Sequence, residues 1–385
     1  MDFELTAEQK LFRKEVFKFA VKEIAPYAEE ADAKSEFSWA AWKKLGEFGL
    51  LGLHFPAKYG GQDSDVLTAC LAGEALGEGG ADGGLTLSMG AHTYLCGDTI
   101  LRHGTEAQKE KYLPKLATGE WVGCMGLTEP GSGSDAASIA TKAVKKGDKY
   151  ILNGSKMFIT NGPIADVAVV FASADRGSGH SGISAFIVDK GTPGFYAGKK
   201  LNKLGVRSST TSELVFEEAE IPAENLLGSE GAGFLIALGA LEWDRSALIA
   251  PFIGAMERAL ALCAEYALDR KQFGRPIAEF QAIQHKIADM RVFVEAARLL
   301  VYRIAWNKDR GRSLNHLEAA VAKHFVGDWG MPVASEAVQI FGGYGYIHEY
   351  PVERIFRDTK LAQIGGGTSE IQRMVISKIL RDSIK

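Results

Sequence analysis

The sequence predicts an α+β fold, mainly α, in which an N-terminal helical domain, a middle antiparallel β-domain and a C-terminal helical bundle follow one another. Three observations predict it. Apolar residues recur at helical spacing up to about residue 120, short β-prone runs replace them over 121–230, and long helical periodicity returns over 231–385.

Thr6 and Gln9 form a capping box, and Phe12, Val16, Phe19 and Ala20 then continue at helical spacing until Pro26. Further helices are predicted over 41–48, 67–76 and 106–113, the last stopping before Pro114. In the run from Tyr150 to Ile159, Asn153-Gly154 lies between two β-prone stretches and predicts a hairpin turn. Residues 168–172, 183–189 and 213–217 add strand-like runs at spacings typical of an antiparallel barrel or sandwich. Helices are predicted over 235–268, 280–306, 314–341 and 369–381. The expected domain boundaries are therefore 1–120, 121–230 and 231–385. No repeat of solenoid length and no low-complexity tract is present.

At 385 residues the chain exceeds the size at which one core stops growing, so two or three packed regions with room for a cofactor are expected. Its formal charge of −4 gives no basic footprint for nucleic acid. The four cysteines, Cys70, Cys96, Cys124 and Cys263, form no CxxC pair and no metal-ligand spacing with the histidines, so buried reduced thiols and no metal are expected. The N-terminal residues lack a basic, apolar leader and no stretch is apolar for the length of a membrane span, which predicts a cytosolic protein.

One segment, Met125 to Asp135, concentrates glycines and hydroxyls where the β-domain begins. Glycine N–H groups in such a loop can approach a phosphate or a planar ring, although the same composition also makes a plain turn. Taken in order with Phe158-Ile159-Thr160, Arg270-Lys271-Gln272-Phe273-Gly274-Arg275-Pro276, Gln339-Ile340-Phe341-Gly342-Gly343-Tyr344-Gly345 and Gly367-Thr368-Ser369-Glu370-Ile371-Gln372, it resembles the acyl-CoA dehydrogenase family. The resemblance spans essentially the whole chain.

That resemblance implies FAD as cofactor and α,β-dehydrogenation of an acyl-CoA thioester. It implies that Met125, Leu127, Thr128, Gly133 and Ser134 line the flavin and the start of the thioester channel, with Phe158, Ile159 and Thr160 against the isoalloxazine. Hydroxyls and N–H groups there would stabilise the reduced ring's charge. On their own, Phe158 and Ile159 read equally as a strand interior. The resemblance further implies that Arg270, Gln272, Phe273 and Gln281 reach FAD across a subunit interface, and that Gln339, Gly342, Gly343, Thr368 and Glu370 make the remaining dinucleotide contacts. An arginine fork suits a pyrophosphate, though Arg270 alone reads as a solvated helix end.

The reaction needs a dehydrated carboxylate to remove the α-proton. The commonest family pattern places a glutamate before the Gly-Thr of the C-terminal loop, where this chain has Gly366. A subset resembling the isovaleryl and long-chain enzymes carries its glutamate directly before an arginine on the first helix of the C-terminal domain, here Asp244-Arg245. By motif position Asp244 is the base; a solvated or ion-paired helix acid is the other reading. Glu242 lies about 200° around the helix and cannot face the same pocket. Gly366 keeps the backbone N–H that polarises the thioester carbonyl in this family, and Ser134, Glu242, Arg245 and Gly367 match positions that contact the substrate.

Aspartate is one methylene shorter than glutamate, so the three glycines 365–367 are expected to admit a branched or alicyclic acyl group close to Asp244. The resemblance also implies a homotetramer and an electron-transferring flavoprotein as oxidant. The alternatives are an oxidase or reductase of the same fold, a dehydrogenase of acyl-carrier-protein thioesters, or a non-catalytic flavin-containing binding protein.

Overall fold

The computed structural model describes residues 4–244, 246–312 and 316–384; Arg245 and the side chains of 176–178 and 242–244 lie outside the described set. Seven α-helices come first: α1 (Ala7–Phe19), α2 (Ala28–Lys34), α3 (Trp39–Glu47), α4 (Val66–Gly79), α5 (Gly83–Gly90), α6 (Asp98–His103) and α7 (Glu106–Thr118). The Thr6–Gln9 capping box is formed in full. Helix α7 runs through Pro114 rather than stopping before it. The prolines and glycines that punctuate a sequence act as priors only, and packing of Leu113, Leu116 and Ala117 overrides this one.

The middle of the chain forms β1 (Gly123–Gly126), β2 (Lys142–Lys146), β3 (Lys149–Thr160), β4 (Val167–Ser173), β5 (Ile183–Asp189), β6 (Phe195–Ala197), β7 (Thr211–Pro222) and β8 (Leu226–Leu227) in one sheet of order β6-β7-β3-β2-β4-β5-β8, with β1 beside β4. The pairing is mostly antiparallel, but β1 runs parallel to β4. The expected Asn-Gly hairpin is absent. β3 passes straight through Asn153-Gly154, and the turn that joins β2 to β3 lies at Gly147-Asp148. Asn153 exchanges side-chain hydrogen bonds with Glu218 across the register shift, and a Cβ at position 154 would come within 2.8 Å of Thr141. The dipeptide therefore makes a bulge, where glycine permits close strand approach.

The C-terminal part holds α8 (Gly233–Asp244), α9 (Ala250–Asp269), the two-residue strands β9 (Lys271–Gln272) and β10 (Arg275–Pro276), α10 (Gln281–Asp309), α11 (His316–Phe341), α12 (Pro351–Thr359) and α13 (Ser369–Ser383). The single helix expected over 235–268 is two, since α9 restarts after a turn with Pro251 near its N-terminus. The two helical regions share one core. Ala69, Ala72 and Leu76 of α4 pack in the same cluster as Ile253, Met256 and Val294. Helix α8 stands apart from that bundle, packing Ile236 and Ala237 with Val169 and Ile187 of the sheet. All four cysteines are buried and unpaired by disulfides.

His92 joins the first helical region to the sheet. Its Nδ1 accepts from the Gly123 amide and its Nε2 donates to the Leu116 carbonyl, each at 2.9 Å. That arrangement needs the neutral imidazole. Burial pushes its pKa down to about 4. Between the ordinary value of about 6.5 and 4 the unfolded chain binds the proton that the folded chain refuses. Stability from this residue is thus present above pH 6.5 and lost as pH falls toward 4, on the order of 3 kcal/mol. Thermal unfolding of His92→Gln from pH 4 to 7 is expected to show a flatter acid side than the parent protein. Parallel curves would contradict this account.

Candidate active site

The residues singled out in the sequence fall into three groups. The first surrounds the junction of β1 and β3. After β1 the chain enters the loop of Leu127 to Asp135, in which Leu127 is buried, Thr128 half-buried, and Gly133 and Ser134 exposed. Glu129 turns inward. Its carboxylate accepts from the Lys156 ammonium at 2.6 Å and from the Ala140 and Thr141 amides at 2.5 and 2.9 Å. Lys156 also donates to the Leu127 carbonyl at 3.3 Å, and the neighbouring Met157 amide donates to the Thr128 carbonyl at 2.7 Å. Burial pushes the Lys156 ammonium down to about 8, while Glu129 opposes the fall. Burial would raise the Glu129 carboxyl, but Lys156 and the hydrogen bonds outweigh it and hold it below its ordinary value. Both groups are charged at neutral pH.

The same strand then bulges between Lys156 and Ile159. Phe158 takes a left-handed φ of +61° and is 64% exposed. An aromatic residue in this region costs about 1–2 kcal/mol and persists only where its surroundings fix it. They do so from both sides. Lys156 anchors the near side, and on the far side Asn161 (φ +66°) donates to the Ser88 and Gly123 carbonyls at 2.9 and 3.1 Å. The result is an aromatic face lifted off the sheet beside a loop rich in N–H groups and hydroxyls, which fits the planar ring of FAD. Ile159 directs its side chain into the sheet core, so only its backbone faces that surface, and Thr160 is half-buried opposite Thr211.

The second group is the turn before α13. Gly366 and Gly367 have φ of +64° and +90°. Lys323 of α11 donates to the Ala362 and Gly367 carbonyls at 2.8 and 2.7 Å, and Gln372 reaches the carbonyls of Gly366 and Gly367. Thr368 caps α13 by accepting from the Ile371 amide, and Glu370 sits exposed in its first turn with its carboxyl lowered chiefly by its own backbone N–H.

The third group is solvent-facing. Arg270, Gln272, Gln281, Gln339, Gly342 and Gly343 are exposed, and Phe273 at the tip of the β9–β10 hairpin is 93% exposed with φ +54°. The Arg270 guanidinium lies 5.6 Å from the Tyr344 ring centre. Nothing approaches within 4 Å of where a Cβ would stand on Gly342 or Gly343, so that backbone is open to a phosphate. Among the described residues no hydrogen bond or ion pair joins this group to the first.

Asp244 is the last residue of α8, but its side chain and that of Glu242, with all of Arg245, lie outside the described residues. Lys156, Glu129, Asn161, Lys323 and Gln372 were not singled out from the sequence. Glu129 and Gln372 sit inside quoted motifs and Lys156 in the β-prone run that precedes Phe158, yet the Lys156–Glu129 pairing spans 27 positions and no local pattern marks it.

Breaking a buried ion pair from one side typically costs about 3–5 kcal/mol, whereas removing both charges costs less. Lys156→Met and Glu129→Gln should each lower stability by about 3 kcal/mol, and the double variant should recover at least half of that. Denaturant midpoints of the three proteins check it; equal losses in singles and double would remove the pair as the tie. In the glycine turn, Gly366→Ala should cost about 1 kcal/mol through its left-handed φ. Gly365→Ala, whose Cβ would meet only ordinary contacts at 3.6 Å and beyond, should be near neutral by the same measurement.

The acyl-CoA dehydrogenase N-terminal, middle and C-terminal domain families match residues 6–120, 124–219 and 231–380 in turn. A short-chain-specific acyl-CoA dehydrogenase of Clostridium acetobutylicum is 48% identical over 99% of this chain and 100% of its own. A mitochondrial isovaleryl-CoA dehydrogenase of Oryza sativa subsp. japonica is 45% identical over 98% of this chain and 92% of its own. The crystal structure of the prolyl acyl carrier protein oxidase AnaB superposes with a TM-score of 0.95 at 41% identity, over 98% and 100% of the two chains. The family's cofactor is FAD, and the lifted Phe158, the hydroxyl-rich loop and the open glycines of this chain are residues fit to hold it. The chain belongs to the acyl-CoA dehydrogenase family and is an FAD-dependent acyl-CoA dehydrogenase.

Proposed function

We propose that this dehydrogenase acts on branched or alicyclic acyl-CoA thioesters, with Asp244 as the base. The observation that carries the reading is Gly366: the loop that bears a glutamate in the commonest family pattern here offers a glycine at φ +64°, clamped by Lys323 and Gln372. The carboxylate must then come from another element, and α8 ends on Asp244. The names of two relatives support the acyl class, since an isovaleryl group is branched and a prolyl group is cyclic.

In this reading the Gly366 N–H polarises the thioester carbonyl and acidifies the α-carbon, Asp244 accepts the α-proton, and Arg245, Ser134 and Gly367 position the thioester, while Glu242, on another face of α8, contacts a part of the substrate away from the α-carbon. FAD, when bound, supplies the acceptor for the β-hydride. Phe158 and Thr160 keep water from that face, and Met125, Leu127, Thr128 and Gly133 line it. The third group, Arg270, Gln272, Phe273, Gln281, Gln339, Gly342 and Gly343, holds the dinucleotide of a neighbouring subunit in a homotetramer, with Thr368 and Glu370 completing the contacts. The exposed Val292, Leu299 and Trp329 on the bundle support such an assembly. An electron-transferring flavoprotein is the proposed oxidant and the cytoplasm the proposed location; among the described residues no helix is long and apolar enough to cross a membrane.

A second reading, favoured by the likeness to AnaB, places the acyl group on a carrier protein rather than CoA. Anaerobic flavin bleaching with isovaleryl, cyclohexanecarbonyl, butyryl and octanoyl thioesters, each on CoA and on a carrier protein, separates the two. Branched and cyclic CoA esters should bleach fastest, and Asp244→Asn should slow them by about a thousandfold with little change in KM. Full turnover in that variant would remove Asp244 from the reaction.

A further inference from the structure

A cavity of about 30 Å³ lies where the α4–α5 turn meets α9 and α12. That is room for two to three waters, or about the bulk of a small carboxylate. Two guanidiniums line it, Arg258 of α9 and Arg354 of α12. Arginines withdrawn from water ordinarily face a carboxylate. Among the described residues neither of these two forms an ion pair or donates a hydrogen bond, and the Arg258 Nε–H is shut off from water without an acceptor. The Arg258 guanidinium lies so close to Gly80, which has φ +100°, that a Cβ there would come within 2.7 Å of its Cζ.

The two carboxylates in the same wall feel the charge of Arg354 but spend their hydrogen bonds elsewhere. Asp82 accepts from the Gly84 and Leu85 amides at 2.9 and 3.1 Å and from the Ser208 hydroxyl. Asp358 accepts from the Val206 and Gly83 amides at 2.5 and 3.1 Å. Burial raises both carboxyls, Asp358 to about 7, so Asp358 carries only part of a negative charge at neutral pH. Burial, and then the like charge of Arg354, lowers the Arg258 guanidinium. Arg354 lies within electrostatic reach of Asp82 and Asp358, and Arg258 of Glu265, but none of these carboxylates hydrogen-bonds either guanidinium, which leaves both forks open toward one small space.

We propose that this cavity binds one small carboxylate anion, of formate or acetate size, held between the Arg258 and Arg354 forks. The site lies outside the residues assigned to FAD and thioester and does not depend on the substrate reading. It bridges the helical regions. Arg258 and Arg354 come from the C-terminal part and Gly80 from the turn after α4, while α5, which begins at the cavity, carries the Ser88 carbonyl that holds Asn161 beside Phe158.

A ligand that binds only the folded state raises its apparent stability by mass action. Thermal unfolding of the FAD-loaded protein is measured against formate at constant ionic strength, with gluconate, too bulky for the cavity, as balancing anion. The expected result is a saturable rise in Tm of about 2 °C. Arg258→Gln and Arg354→Gln should abolish the saturable part while leaving flavin content and turnover on acyl-CoA at parental levels. Line broadening of 13C-formate by the parent protein gives a second measurement that needs no variant. A Tm that drifts linearly with formate, no broadening, or the same saturation in both variants would overturn the site.

Discussion

The loop after β1 and the outward face of Phe158, proposed to meet the flavin, take their geometry from one buried ion pair. Lys156 lies in the middle of β3 and Glu129 at the first turn of the loop after β1, and both are shut off from water. Such a pair gives little net stability, because desolvation offsets the attraction. What it gives is position. Its donors and acceptors fix the loop through the Leu127 carbonyl and the 140–141 amides, and they fix β3 just before the chain bulges at Phe158. Without that anchor, nothing in the alternation of β3 would favour turning an aromatic ring outward at a left-handed φ over burying it. The loop and the aromatic face thus move as one unit, as a cofactor wall built from two distant segments requires.

A second set of ties holds the three regions against each other. Consecutive residues of α12 face different partners: Arg357 makes two hydrogen bonds to the Asp32 carboxylate of α2 and a third to the Leu204 carbonyl, while Asp358 takes the amides of Val206 and Gly83. Val206, a β-branched residue at φ +46°, is held in that conformation by the bond to Asp358. Helix α12 leads through Lys360–Gln363 into the glycine turn. The first helical region is therefore tied, through Arg357, Asp358 and the Lys360–Gln363 turn, to the backbone proposed to polarise the thioester.

Much of this was legible in the sequence, and the limits have physical causes. Helical and strand periods are local, so the order of helix, sheet and helix follows from them, as does the Thr6–Gln9 cap. The misreadings share one origin. Asn153-Gly154 carries the chemistry of a tight turn, but its glycine is there because β3 passes close to Thr141, and its asparagine because Glu218 lies across the sheet. Pro114 is a helix breaker overruled by the packing of α7, and the turn at 246–249 before α9 has no glycine to announce it. The shared core of α4 with α9 and α10 is equally invisible to any window along the chain. Site motifs were readable because their glycines and hydroxyls are contiguous; of the residues that hold them, Gln372 lies within its own motif, whereas Lys156, Asn161 and Lys323 act across long separations.

The glycine turn shows how a lost side chain can leave the rest of a site in working order. Polarising a thioester carbonyl requires only an N–H in a fixed place, and the turn is fixed by groups other than the missing side chain: Lys323 from α11, Gln372 and Thr368 from α13. Proton abstraction is separable, because a base can approach the α-carbon from any element that borders the acyl chamber. A base on α8 draws its position from the sheet-side core of Ile236 and Ala237 rather than from the bundle that holds the turn. Base and carbonyl site then sit on independent supports. In the proposed reading, the space that a glutamate side chain would fill at position 366 falls to the acyl group, and the shorter carboxylate of Asp244 favours substrates whose bulk near the α-carbon brings them to it.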